Sequence, residues 1–278
     1  MQDRRDACPF LYRRVMDKRR IVGIVMTVLF GIAAFVCGFL FVQQTLDAKE
    51  SAEAFDALAE MVVEQKVDEP NFEIDDTEED DLEDKAAIRE AISRYEALYE
   101  ENRDFVGWVK IEGTNINYPI MQSREDPCFY LNHGFDKSYS AYGVPFMDAK
   151  CSFSFSNNLI VYGHHMNNGT MFADLNNYKD ESFWQEHKVI QFDTLAGLGK
   201  YEVLAAFAFD TNNDTFMFNE YYNMIDETEY WEFIENCQLR AAYETGVQAE
   251  LGDKLITLVT CEYTHPNGRF VVVAREIT

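Results

Sequence analysis

The chain has 278 residues, 47% of them hydrophobic, which is enough apolar material for one or two domains with a substantial core. Its formal net charge of −25 argues against binding to nucleic acid or to anionic membrane surfaces, because phosphate groups are recognised by clustered lysines and arginines. Outside the N-terminus the sequence offers no such basic cluster.

The N-terminal segment predicts a membrane anchor. Residues 1–20 carry seven basic side chains, and residues 21–42 form a run of 22 without a single charge, long enough to cross a bilayer as a helix. Basic residues before the span and acidic residues after it place the N-terminus in the cytoplasm and the rest of the chain outside. A cleaved signal peptide is the alternative, but its apolar region is shorter, about 7 to 15 residues. We therefore predict an uncleaved signal anchor behind a cytoplasmic tail.

Residues 43–85 are predicted to separate this span from the main domain. Apolar residues recur at helical spacing between residues 43 and 66, which predicts a stalk helix. Residues 68–84 then hold eleven acidic side chains among seventeen and no base. Such a segment buries too little apolar surface to fold, so we interpret it as a flexible extracellular linker.

Residues 86–278 are predicted to form one mainly β domain. Apolar residues at helical spacing predict a helix within residues 85–101, and short apolar runs separated by turn residues follow. The predicted strands are 106–111, 116–121, 159–164, 189–193, 201–209, 255–261 and 270–277. Many short strands at this spacing are typical of a closed or nearly closed β-barrel. Two helical insertions are expected, at residues 171–187 and 226–243.

Two of the predicted strands end in residues that can carry chemistry. The strand 255–261 ends at Cys261, directly before a polar turn, and the strand 159–164 ends at His164 with His165 beside it. A histidine that is distant in sequence but adjacent in space can activate a cysteine nucleophile by taking its proton. Taken alone, Cys261 would fit equally well as a small buried hydrophobe.

Together these residues resemble the class B sortases, the cysteine transpeptidases of Gram-positive cell surfaces. The resemblance rests on Tyr162-Gly163-His164, on Gly169-Thr170-Met171-Phe172, on Thr257-Leu258-Val259-Thr260-Cys261 and on Arg269 before the last strand. It also covers Asp104-Phe105-Val106-Gly107-Trp108, Gly113-Thr114, Tyr118-Pro119, Tyr130-Leu131-Asn132-His133 and Ser140-Ala141-Tyr142-Gly143. The similarity therefore runs from about residue 86 to the C-terminus.

The resemblance implies a sortase-like closed β-barrel with helical insertions and a thioacyl-enzyme mechanism. Cys261 would be the nucleophile, His164 the group that protonates the leaving amine, and Arg269 the donor to the carbonyl or oxyanion. Three flanking residues are expected in the substrate groove: Tyr162, Thr260 and Glu262. The implied partners are secreted proteins with a C-terminal sorting signal, and an amine of peptidoglycan or of another protein as acceptor. No cofactor is expected.

Other interpretations of the same residues remain open at this stage. His164, His165, His265, Cys261 and Asp148 are zinc-ligand types, but their spacing fits no compact zinc motif, so no metal is predicted. His133 and His187 are expected to be structural. A non-catalytic surface receptor, binding a ligand or a metal through the histidine cluster, is the alternative function.

The cysteines allow at most one disulfide if Cys261 stays free. Two of the six lie in or before the predicted span, which leaves three others in the oxidising extracellular environment. These are Cys128, Cys151 and Cys237. The sequence does not choose a pair among them.

Overall fold

The computed structural model describes residues 18–64, 85, 89, 93, 95–195, 197–262 and 267–277. The predicted linker, residues 68–84, and His265 lie outside these residues. By internal contacts the chain divides into two compact units, Met1–Ala48 and Lys49–Thr278.

Helix α1 spans Lys18–Glu64 and contains the predicted membrane span. The apolar side chains of residues 21–42 are exposed, with Phe30 and Phe35 at 69% and 76%. By length and composition this helix could cross a membrane. Its last turns carry Phe55 and Leu58, which are buried within the second unit.

Eight strands close into a barrel, which confirms the predicted fold class. They are β1 (Phe105–Lys110), β2 (Asn117–Met121), β3 (Phe146–Met147), β4 (Asn158–Tyr162), β5 (Val189–Thr194), β6 (Lys200–Asp210), β7 (Leu255–Glu262) and β8 (Gly268–Ile277). Their order around the barrel is β1-β2-β3-β4-β7-β8-β6-β5, and β5 pairs with β1 to close it. The two-residue strand β3 was not predicted, because it is too short to show any periodicity.

The central strands are apolar on both faces. In β7 every residue from Leu255 to Thr260 is buried, as are Phe270 to Ala274 of β8. One face fills the barrel and the other lies under helices and loops, so these strands appear in the sequence as continuous apolar runs rather than alternating ones.

Both helical insertions are present. The first consists of the 310 helix Ala173–Lys179, called helix 173–179 below, and of α2 (Glu181–Glu186). The second is α3 (Glu227–Arg240), which packs on β6. Asp226 caps α3 by accepting a hydrogen bond from the Glu229 N–H at 2.9 Å, which satisfies one of the free donors at the helix start.

The segment before β1 is helical over residues 95–101 and is anchored to the barrel wall. Tyr95 is buried, and its hydroxyl donates to Asp193 of β5 at 2.7 Å. A buried hydroxyl needs such a partner, so this contact fixes the helix on the barrel.

Candidate active site

The pairing of β4 with β7 brings the predicted histidine and cysteine to the same end of the barrel. The two strands are parallel, with Tyr162 opposite Val259, and the Gly163 N–H continues the ladder to the Val259 carbonyl at 3.0 Å. Parallel strands end on the same side of a sheet. His164 and Cys261 each lie two residues beyond this last pair, so they emerge side by side.

Strand β8 adds Arg269 to the same end. It is antiparallel to β7, and Arg269 lies directly opposite Cys261. Residues opposite each other in an antiparallel pair share a face, with Cβ atoms about 4.5 to 5.5 Å apart. The half-buried guanidinium of Arg269 therefore lies on the face of the thiol; one of its nitrogens donates to the Gly268 carbonyl at 2.9 Å. The structure thus brings together all three predicted catalytic residues.

A backbone carbonyl orients the ring of His164. Its Nε2 lies 2.7 Å from the carbonyl oxygen of Leu131, in the loop that follows β2. A carbonyl oxygen can only accept, so Nε2 must carry a hydrogen, and Nδ1 is left as the nitrogen that can take up or release a proton. Nothing in the sequence indicates this contact, because a backbone partner 33 residues away leaves no side-chain signature.

Glycine 143 allows the Leu131 carbonyl to occupy this position. Gly143 has a φ of +59°, and a Cβ there would lie 2.6 Å from the Leu131 oxygen and 2.5 Å from the Tyr130 oxygen. A side chain at this position would therefore be strained and would push against the carbonyl that holds His164. The motif Ser140-Ala141-Tyr142-Gly143 was identified only as part of the resemblance, without this reason.

The adjacent His165 bonds to a different partner. Its Nδ1 lies 3.1 Å from the backbone carbonyl oxygen of Cys261. Asn176, on helix 173–179, donates to the same oxygen at 3.2 Å and lies 2.8 Å from the His165 ring. His165 and Asn176 thus contact the backbone of the cysteine, whereas His164 contacts the carbonyl of Leu131. Asn176 had no signal in the sequence.

Glu262, one residue after the cysteine, is buried and ion-paired. Its side chain is 2% exposed, and the ammonium of Lys179 lies 2.7 Å from a carboxylate oxygen. Lys179 also lies 5.7 Å above the centre of the Phe270 ring. A carboxylate this deeply buried requires such a partner, because desolvation of an unpaired charge is costly.

The two other predicted groove residues are also largely covered. The half-buried Tyr162 donates from its hydroxyl to Asp148 at 3.0 Å. Burial first, and then the charge of Asp148, raise the pKa of Tyr162 above its ordinary value. Thr260 is 1% exposed, and its hydroxyl finds no hydrogen-bond partner among the residues described.

The described cysteines other than Cys261 are either exposed or buried, and His133 packs against an aromatic ring. All the cysteines in the described part of the chain are free thiols, with Cys128 exposed and Cys151 and Cys237 buried. His133 stacks on Phe129 with ring centres 3.9 Å apart. Within the described ranges, which leave out His265, no three potential metal ligands lie together.

Comparison with known proteins identifies the family of the chain. The sortase domain family profile matches residues 109–277. Sortase B of Staphylococcus aureus is 33% identical over 187 residues, covering 66% of this chain and 75% of the relative. Sortase B of Listeria monocytogenes is 32% identical over 184 residues, covering 65% and 73%.

Solved structures give the same answer at the level of the fold. The structure of a Staphylococcus aureus sortase B-substrate complex superposes with a TM-score of 0.69 at 27% identity, covering 84% of this chain and 99% of the other. Relatives of this kind are cysteine transpeptidases, which favours the enzyme over the receptor alternative. The chain therefore belongs to the sortase family, in its B class, and is a cysteine transpeptidase.

Proposed function

We propose that this enzyme cleaves the C-terminal sorting signal of secreted proteins through a thioester on Cys261 and transfers the acyl part to an amine. The observation that carries the proposal is the meeting of His164, Cys261 and Arg269 at one barrel end, through the parallel β4–β7 pair and the antiparallel β7–β8 pair. The substrate complex of the Staphylococcus aureus relative supports the substrate class.

The first half of the reaction breaks the peptide bond. Cys261 attacks as the thiolate, with its proton held on Nδ1 of His164; a bond forms between its sulfur and the carbonyl carbon of the scissile bond, and the C–N bond breaks. Nδ1 of His164 gives its proton to the departing amine. The product is a thioester between Cys261 and the N-terminal part of the substrate.

The second half releases the acyl group to the acceptor. A primary amine of peptidoglycan or of another protein attacks the thioester carbon, the new amide bond forms, and the C–S bond breaks. His164 takes the proton that the attacking amine loses. The side chains are then back in their starting protonation states.

Arg269 stabilises the charge that develops on the carbonyl oxygen in both halves. A guanidinium stays charged at working pH and offers its N–H donors in a fixed planar fork, so it can direct hydrogen bonds at an oxyanion. Of the three flanking residues, we propose only the half-buried Tyr162 for the wall of the substrate groove, because Thr260 and Glu262 are almost completely buried.

We further propose that residues 21–42 anchor the enzyme in the cell membrane, with the N-terminus in the cytoplasm and the catalytic domain outside. The cell-surface location of the relatives and the exposed apolar side chains of α1 support this topology. Protease added to intact cells without their wall should release a fragment containing Cys261. Release only after lysis would contradict the orientation.

The decisive experiment detects the thioester itself. The full chain, solubilised in detergent, is incubated with a library of sorting peptides and examined by mass spectrometry, then supplied with a panel of primary amines. We expect an acyl adduct on Cys261 that an amine resolves, and no adduct with Cys261→Ala. Absence of an adduct for every peptide, or an adduct that persists in Cys261→Ala, would reject the proposal.

A further inference from the structure

We propose that helix 173–179 is a clamp on the end of β7, in which Lys179 neutralises Glu262 and Asn176 holds the backbone of Cys261. Neither residue touches the reacting atoms, so both are positioning residues. The functional meaning of the clamp rests on the proposed role of Cys261 as the nucleophile.

The geometry of a 310 helix explains how both residues reach the same strand end. Asn176 and Lys179 are three residues apart, and a 310 helix has three residues per turn, so their side chains lie above one another on one side. Asn176 reaches the Cys261 carbonyl at 3.2 Å, and Lys179 reaches the Glu262 carboxylate at 2.7 Å. Two successive residues of β7 are thereby held by one turn of helix.

The Lys179 contact matters for charge as well as for position. Glu262 follows Cys261 directly and its side chain is almost completely buried, so solvent screens its charge poorly. A poorly screened negative charge one residue from the cysteine disfavours the thiolate, which is the reactive form. Lys179 places a positive charge on that carboxylate and so removes most of this penalty.

The Asn176 contact restrains the backbone at the cysteine. A carbonyl oxygen has two lone pairs, and here both Asn176 and the His165 ring lie within hydrogen-bonding distance of it. The cysteine is the next-to-last residue of its strand, where pairing alone restrains the chain least. The amide of Asn176 adds a restraint from outside the sheet.

The test measures the reactivity of the thiol, independently of any substrate. The full chain in detergent is treated with iodoacetamide at pH 7, and alkylation of Cys261 is followed by peptide mass spectrometry, which separates it from the exposed Cys128. The variants are Lys179→Met, Lys179→Arg and Lys179→Met combined with Glu262→Gln. Lys150→Met is the control, because Lys150 pairs with Glu220 at 3.0 Å with both side chains about half exposed.

We expect Lys179→Met to slow the alkylation of Cys261 by about tenfold, because the buried Glu262 carboxylate loses its ammonium partner and its charge then disfavours the thiolate. Lys179→Arg should restore most of the rate, and so should the double variant, because it removes the carboxylate charge as well. Lys150→Met should alkylate at the wild-type rate.

Two results would overturn the clamp. One is a wild-type alkylation rate in Lys179→Met. The other is a double variant as slow as Lys179→Met, because Lys179 would then not act through Glu262. A melting curve for each variant separates a charge effect from unfolding. If alkylation of Cys261 in Lys179→Met slows only because the variant has lost its folded state, and the double variant does not restore the rate, the result also counts against the proposal. Because alkylation needs no sorting peptide, the clamp and the transpeptidation mechanism can fail independently.

Discussion

Two thiols of the same domain, Cys151 and Cys261, lie in regions with opposite character. Cys151 is completely buried, its sulfur accepts a hydrogen bond from the Ile160 N–H at 3.4 Å, and it lies against the body of β4. Burial is the main cause that raises the pKa of Cys151 to about 12. Cys261 is half-buried at the end of β7, across from Arg269.

The comparison shows that burial decides what a cysteine can do here. In the loop between β3 and β4, the thiol of Cys151 is enclosed on all sides, stays protonated at neutral pH and serves as a small apolar group. At the end of β7, Cys261 lies opposite Arg269 of β8, its backbone carbonyl contacts His165 and Asn176, and the residue remains partly exposed. Four predictions test this difference.

The largest effect is expected from replacing each thiol in turn. Cys261→Ala should abolish turnover of a sorting peptide while leaving the melting temperature nearly unchanged, because it removes the nucleophile and few packing contacts. Cys151→Ala should do the reverse: turnover stays within about twofold, and the free energy of unfolding falls by about 1 kcal/mol from the lost burial. Comparable loss of turnover in Cys261→Ala and Cys151→Ala would contradict the proposed difference between the two thiols.

Replacing the adjacent histidines tests which of them exchanges protons. His164→Ala should lower turnover by about 1000-fold, within the range for a lost general acid–base group. His165→Ala should lower it much less, by about tenfold, because that ring contacts the backbone carbonyl of Cys261 rather than the reacting atoms. Steady-state rates with one sorting peptide measure both; the reverse ranking would show that the roles are exchanged.

Replacing Arg269 tests whether this residue acts through directed hydrogen bonds or only through its positive charge. Arg269→Ala should lower turnover by about 100-fold, the scale of a lost oxyanion donor. Arg269→Lys should be nearly as slow, because an ammonium on a flexible stem lacks the planar fork. The melting temperatures serve as the control for folding. Near-wild-type turnover for Arg269→Lys would show that Arg269 acts only through its charge. Near-wild-type turnover for both variants would show that Arg269 has no role in the reaction.

The smallest effect concerns the carbonyl that holds His164. Gly143→Ala should lower turnover by about tenfold and also destabilise the fold, because the new Cβ meets the Leu131 oxygen at 2.6 Å. Gly246→Ala is the matched control: its φ is +73°, but a Cβ there meets nothing within 4 Å. It should lose only about 1 kcal/mol of stability, from the strained backbone, and no activity. Equal losses of turnover in Gly143→Ala and Gly246→Ala would show that Gly143 does not act on turnover through the carbonyl that holds His164.

The proposed catalytic residues could be named from the sequence because they are side chains with distinctive patterns. A cysteine and a histidine at the ends of two apolar runs, with an arginine shortly after the cysteine, are visible in the sequence as Cys261, His164 and Arg269. The barrel was predictable for a related reason, since short apolar runs separated by turn residues leave few other ways to bury their surface.

The parts that were missed depend on backbone contacts and on charge pairing between distant segments. The Leu131 carbonyl, Asn176 and Lys179 belong to residue types that occur everywhere, and nothing local marks them. Glu262 was assigned to the groove because it is next to Cys261, but the sequence did not reveal that its side chain is buried against Lys179.

The sequence alone specifies the apolar N-terminal span and the mainly β domain, because both follow from local composition or periodicity, whereas the proposed catalytic residues rest on the resemblance to class B sortases. The tertiary structure alone shows that β4 and β7 pair in parallel although the paired residues are 97 positions apart, so that His164 and Cys261 lie at the same end of the barrel. The tertiary structure also shows which residues contact the ring of His164 and the backbone of Cys261. The physical reason is that strand order and long-range hydrogen bonds arise from closing the barrel as a whole, and no local pattern encodes them.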